Sequence, residues 1–275
     1  MTSNALTQDN PIVRSEFRYQ RFVIERGRNG RIWIFLAFLL IAPSLLASIG
    51  YTIGLMLNLF PVVDWYNMNG SWHLTILMLL IVVNVSMYVV VTLISIALAN
   101  SSIAREKSKH TWSLLRLTDI DTDRIVLGKW WASLQALNGD HSMVIVLRVG
   151  LLAIALAIFI PSYHALEDIT APYRLYFLIM TPLIIIHGLL DASVSVSLGL
   201  WGAIPNDAMQ TVASFAVMLT RLLLSIAVGW WFWNVLLLIQ SNFVHAIYLT
   251  LAGIVATIIL LILSLFVSQW LVENS

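Results

Sequence analysis

Six long apolar segments, each able to cross a lipid bilayer as one helix, constrain this 275-residue chain more than any other feature. A helix needs roughly 20 consecutive apolar residues to span the hydrocarbon core. The segments run from about Ile32 to Leu57, His73 to Ala99, Met143 to Ile160, Leu175 to Leu200, Ala208 past Gly229, and Val244 to Leu271. None alternates as the strands of a membrane barrel do, and only helices or closed barrels satisfy their backbone amides in lipid. Composition agrees. Hydrophobic residues make up 60% and charged ones 11%, against about 25% charged in a soluble domain whose surface faces water. The expected fold is an all-α polytopic membrane protein with six transmembrane helices, a single transmembrane domain over residues 1–275 with no separate folded unit beside it.

The basic residues orient these spans. Arg14, Arg18, Arg21, Arg26, Arg28 and Arg31 precede the first, and Arg105, Lys107, Lys109, Arg116, Arg124 and Lys129 lie between the second and third. The alternate loops, 58–72 and 234–245, carry no Lys or Arg, and 161–174 carries only Arg174. Positive charge collects on the cytoplasmic side, so both termini are expected there, in the plasma (inner) membrane. The first apolar block follows an Arg-rich stretch too long for a signal-peptide n-region and is expected to remain as a span. Trp130 and Trp131, then Trp230, Trp231 and Trp233, and finally Trp270 stand near segment ends, where amphipathic rings anchor helices at the headgroups. Cysteine is absent, which removes disulfides, thiolate chemistry and Cys-based metal sites.

The arm over residues 1–31 is expected to hold an amphipathic interfacial helix from Pro11 to Arg28. Ile12, Val13, Phe17, Tyr19, Val23 and Ile24 share an apolar side, with Arg14, Arg18, Arg21 and Arg28 opposite. Pro11 suits a first helical turn, Gly27 and Gly30 stop the helix, and a basic amphipathic helix binds an anionic leaflet. A generic membrane anchor would have the same periodicity. The loop over 100–129 is too polar for lipid and too short for a domain. Trp112, Leu115 and Ile103 or Leu114 can share one side of a short helix. Thr118 is placed to cap a second helix opening with Asp119, Asp121 and Asp123. Such a pair can dock on a partner or rest on its own helices, and the pattern alone leaves both open.

The string Ala104-Arg105-Glu106-Lys107-Ser108-Lys109-His110-Thr111-Trp112-Ser113-Leu114-Leu115-Arg116-Leu117-Thr118, followed by Ile125-Val126-Leu127-Gly128-Lys129, resembles the signature loop of ABC-2 type transporter permeases. The arm Asn10-Pro11-Ile12-Val13-Arg14-Ser15-Glu16-Phe17 is similar to that family's N-terminal connecting helix. His110 stands where Gly is common in the family, Asp119 where Pro is common, and Arg116 where a third apolar residue is common. The resemblance implies that the loop between spans two and three holds a coupling helix. Arg105, Glu106, Thr111, Trp112, Leu114, Leu115, Thr118, Gly128 and Lys129 would then couple it to a separate ATP-binding subunit. It also implies a second permease subunit, the same chain or a similar one, with ATP and Mg held by the partner ATPase and no nucleic acid involved.

No catalytic motif opposes that picture. Gly128-Lys129 lacks the upstream Gly of a phosphate-binding loop and is followed by Trp130, and neither H-E-x-x-H nor G-x-S-x-G occurs. Polar residues inside spans are costly and are functional candidates: Asn84, Arg148, His187, Asp191 and Arg221. His187 and Asp191, four apart, share a helix face. Asp191 and Arg148 fall at similar depth and can form an ion pair, whereas Arg221 has no evident partner. These residues can line a substrate path or serve as interhelical glue, and no third ligand joins His187 and Asp191 for a metal. Asn138-Gly139-Asp140-His141 is expected to break the helix before the third span, and Asn234–Phe243 to end a long fifth helix or form a re-entrant element. The leading expectation is a transport subunit, an exporter by resemblance. The rivals are an intramembrane enzyme using His187 and Asp191, and a non-transporting membrane anchor or assembly subunit.

Overall fold

The computed structural model describes residues 11–27, 31–57, 71–111, 122–159 and 170–203, with isolated helical positions between 215 and 223 and between 252 and 262. Five helices make up the continuous part: α1 (Pro11–Gly27), α2 (Arg31–Leu57), α3 (Ser71–Ser108), α4 (Thr122–Phe159) and α5 (Thr170–Gly202). The described residues contain no strand. Most of the fifth and sixth expected spans, the tryptophans from Trp230 onward and Asn234–Phe243 lie outside the described residues.

Three helices are long and apolar enough to cross a membrane, over Thr75–Ser108, Arg124–Ile154 and Phe177–Gly202. In α2 the corresponding described stretch is shorter, Ile41–Gly54. Large apolar side chains such as Leu46, Val82, Val85, Leu178 and Leu189 are exposed on the outer faces, as expected of a protein whose solvent is lipid. The first four apolar segments of the sequence therefore all lie within helices.

The helices outrun the apolar segments. α3 and α4 have 38 residues each, about 57 Å at 1.5 Å per residue, well beyond a hydrocarbon core about 30 Å thick. The polar stretch from Asn100, expected as loop, instead continues α3 for two more turns to Ser108. Ile103 belongs to this continuation and is buried against Ala99, Val196, Leu200 and Ala203 rather than sitting on a separate short helix. Likewise α4 runs unbroken through Asn138-Gly139-Asp140-His141, where a break was expected. A mid-helix Gly costs only about 1 kcal/mol relative to Ala. His141 is buried against α3, and its Nε2 lies 3.0 Å from the Ser95 hydroxyl; tertiary packing outweighs the local penalty.

α4 is the central element, packed against α1, α2, α3 and α5, and α3 also packs along α5. Small residues bring the backbones together, as is usual where helices associate in lipid. Gly150 of α4 meets Ser48 of α2, and Gly188 of α5 meets Ile145 of α4. A Cβ at Gly199 of α5 would lie 2.6 Å from the Ile96 carbonyl oxygen and 2.8 Å from the Ala99 Cβ of α3. Contacts also give direction. Ser102 meets Lys129, Ser95 meets His141 and Tyr88 meets Arg148, so α3 and α4 are antiparallel. Trp130 donates to the Ser193 carbonyl at 3.3 Å while Arg148 reaches His187, so α4 and α5 are antiparallel too. Trp130 thus ties two helices together, a role beyond the interfacial anchoring expected of it.

Candidate functional site: two charged clusters along the bundle

The first cluster gathers where α1 meets the ends of α3 and α4. α1 runs in register beside the first turns of α4, with Glu16 opposite Lys129 and Gln20 opposite Ser133. Its buried stripe is Val13, Glu16 and Gln20, whereas Tyr19 and Val23, expected on the apolar side, are exposed. Two polar residues therefore stand on the packed face and bond there, although Gln20 Oε1 has no partner among the described residues. Lys129, 2% exposed, donates to Glu16 Oε2 at 2.9 Å, to Ser102 Oγ at 3.1 Å and to the Ser102 carbonyl at 3.3 Å. Its three ammonium hydrogens are accounted for. Gln20 donates to Ser133 Oγ at 2.8 Å and to Glu16 Oε1 at 3.2 Å, and Ser133 donates in turn to the Lys129 carbonyl.

Arg105, in the last turn of α3, completes the cluster. Its Nη2 donates to Glu16 Oε2 at 2.8 Å and to Glu106 Oε1 at 3.2 Å, and its guanidinium lies 3.7 Å above the centre of the Tyr19 ring. Glu106 also lies 3.6 Å from the Lys129 ammonium and accepts a bond from the Thr111 hydroxyl. Two carboxylates balance two cations, and a cavity of about 550 Å³ opens beside them, lined in part by Lys109. Just past this point the α3 helix stops. The Lys109 and His110 amides bond back to the Arg105 and Lys107 carbonyls, and His110 takes φ 55°. That left-handed conformation normally falls to Gly at a helix C-terminus.

Of the residues expected to couple to a partner, the structure brings Arg105, Glu106, Thr111 and Lys129 together, and buries Gly128 within α4 one residue before Lys129. Trp112, Leu114, Leu115 and Thr118 lie outside the described residues. α4 begins at Thr122, within the acidic run expected to open a helix there. Glu16 and Gln20 were not singled out from the sequence as site residues. Their signal was the spacing 13, 16, 20, which places both on the face of Val13.

The second cluster lies within the apolar segments, where α3, α4 and α5 meet. Arg221, expected without a partner, is buried and ion-paired with Asp191, and also donates to the Asp191 carbonyl at 3.0 Å and to Ser195 Oγ at 3.1 Å. The pair considered for Asp191 was Arg148, and the structure gives it Arg221 instead. Arg148 turns to neutral groups. Its Nη1 lies 3.3 Å from His187 Nδ1, and its guanidinium lies 4.8 Å from the Tyr88 ring centre. Arginine only donates, so Nδ1 accepts and the imidazole proton sits on Nε2. The Tyr88 hydroxyl donates toward Asp191 at 3.5 Å. His187 and Asp191 share a helix face, yet each is engaged by a different arginine. Asn84 is buried one turn from Tyr88, and its Nδ2 has no partner among the described residues. Among the described residues no group of three or more His, Asp or Glu side chains is placed to hold a metal ion.

Comparison with protein-family models, curated proteins and solved structures finds no match.

Proposed function

We propose that this chain is the membrane-spanning subunit of an ATP-driven transporter, a class of protein that draws its ATPase from a separate chain. Within that class the reading is an ABC-2 type permease acting as an exporter. Six spans would place both termini in the cytoplasm at the plasma membrane. A second permease chain, identical or similar, would complete the pathway, and two ATP-binding subunits would supply ATP and Mg.

The observation that best supports this reading is the joint held by Glu16, Arg105 and Lys129. These three residues bind α1, the end of α3 and the start of α4 into one unit directly beside the segment that resembles a coupling helix. A push on residues 106–118 would then reach three helices at once instead of bending a free loop. Nucleotide-driven closure of the ATPase can shift the bundle between two arrangements only through contacts that differ between them, and a rigid joint conveys such differences.

The test is purification of the tagged chain from mild detergent, with the accompanying proteins quantified by mass spectrometry. An ATP-binding cassette subunit is expected in near-equal amount, and it should be lost when Trp112 and Leu115 are both changed to Asp while membrane insertion persists. Normal co-purification with the double variant, or no ATPase with the wild-type protein, would refute the assignment.

A further inference from the structure

Within the six apolar segments the sequence carries two arginines, Arg148 and Arg221, and a single carboxylate, Asp191. Asp191 is committed to Arg221, which it meets through both its carboxylate and its carbonyl, with Ser195 alongside. Among the described residues the part-buried Arg148 meets an imidazole and the face of a phenol ring, and no carboxylate. A cation held among apolar helices with no counter-charge is unfavourable, and charges in such places ordinarily pair or serve a pathway. A second copy of this chain offers no remedy, because its apolar segments hold the same lone carboxylate, already paired.

We propose that Arg148 is the centre of a binding site inside the bundle for the anionic head, carboxylate or phosphate, of an apolar-tailed amphiphile. The donors are in place. Guanidinium N–H groups not spent on His187 suit a planar or tetrahedral oxyanion, and His187, accepting at Nδ1, holds the guanidinium in place. Tyr88 closes one side and keeps its hydroxyl toward Asp191. The carboxylate of Asp191 stays with Arg221, so it does not compete for Arg148. An apolar tail matches the site's surroundings, since α3, α4 and α5 expose apolar side chains outward to lipid. The site goes beyond the transporter reading and requires only that these helices lie in a bilayer.

The test uses the full chain in phosphatidylcholine nanodiscs and radiolabelled laurate, at an alkaline pH that keeps laurate ionised. Saturable binding is expected, displaced by unlabelled laurate or dodecyl phosphate, and displaced roughly tenfold or more less effectively by uncharged dodecanol. Which anion displaces better tells carboxylate from phosphate. R148Q should abolish saturable binding and R148K should weaken it. The arm variant R14Q/R18Q/R21Q should leave it intact, which separates the site from attraction to the surface helix. The comparison of head groups needs only wild-type protein, so a poorly folded R148Q does not blunt the test. Binding indifferent to head-group charge, unchanged affinity in R148Q, or loss of binding in the arm variant overturns the assignment. So does a wild-type protein without a saturable site because a co-purifying membrane protein covers Arg148 with its own carboxylate.

Discussion

Both charged clusters set basic side chains against acidic ones, and they settle their charges in different ways. At the α1 end, Glu16 and Glu106 answer Arg105 and Lys129 one for one, and the most deeply buried cation has every hydrogen engaged. Inside the bundle the one carboxylate is held by Arg221, and Arg148 leans on a histidine and a tyrosine. In the first cluster each buried charge has an opposite charge beside it, so removing Glu16 or Lys129 strands the other. In the second, Arg148 has no carboxylate partner among the described residues. The difference is between three helices tied by paired charges and one ion pair standing beside an arginine whose described partners carry no negative charge.

The largest effects are expected from breaking a pair that is complete. Glu16→Ala strands the buried Lys129, and Arg221→Met strands Asp191. Each should cost about 3–5 kcal/mol of stability, read as a lowered midpoint in denaturant titration of the purified protein. The double change Glu16→Met with Lys129→Met should recover most of the first loss, since an apolar pair can replace a buried ion pair. A double variant as damaged as the single one would mean that Glu16 acts on something other than Lys129. Ser95→Ala, which removes the partner of His141, should cost about 1 kcal/mol. His110→Gly should gain about 1 kcal/mol by relieving the left-handed backbone at the end of α3. The smallest change is predicted for Arg148→Met, within about 1 kcal/mol of the parent protein, because no partner charge among the described residues is left behind. Equal losses for Arg148→Met and Arg221→Met would erase the contrast between the two clusters.

Much of the helical frame was legible in the sequence, for a simple reason. Segments such as His73–Ala99 and Leu175–Leu200 are apolar on every side, and in lipid an unbroken apolar run has no alternative to a helix. The polar continuations were not legible. Asn100–Ser108 lacks the apolar block that marks a span, yet its backbone is held in place by contacts from α4 and α5, beginning with Ile103. Gly139 suggested a break because its local cost is visible in the sequence, whereas the packing of His141 on Ser95 is not. The arm shows the same limit. Its amphipathic period was clear, but an apolar-face rule assigns Tyr19 inward and passes over Glu16, whereas Tyr19 is exposed and Glu16 is buried against Lys129. As for the bundle cluster, its members could be named as polar residues in apolar segments. Their pairing could not, because Asp191 and Arg221 lie 30 residues apart and meet only through the packing of helices.

The most direct measurement is ATP hydrolysis by the complex purified from membranes through a tag on this chain, set beside the same preparation carrying Trp112→Asp and Leu115→Asp. The account predicts ATP turnover that accompanies the wild-type chain, disappears with the variant and is absent from the isolated chain. Turnover retained by the variant would contradict the coupling role of this loop, and a wild-type preparation without ATP turnover would contradict the transporter reading itself.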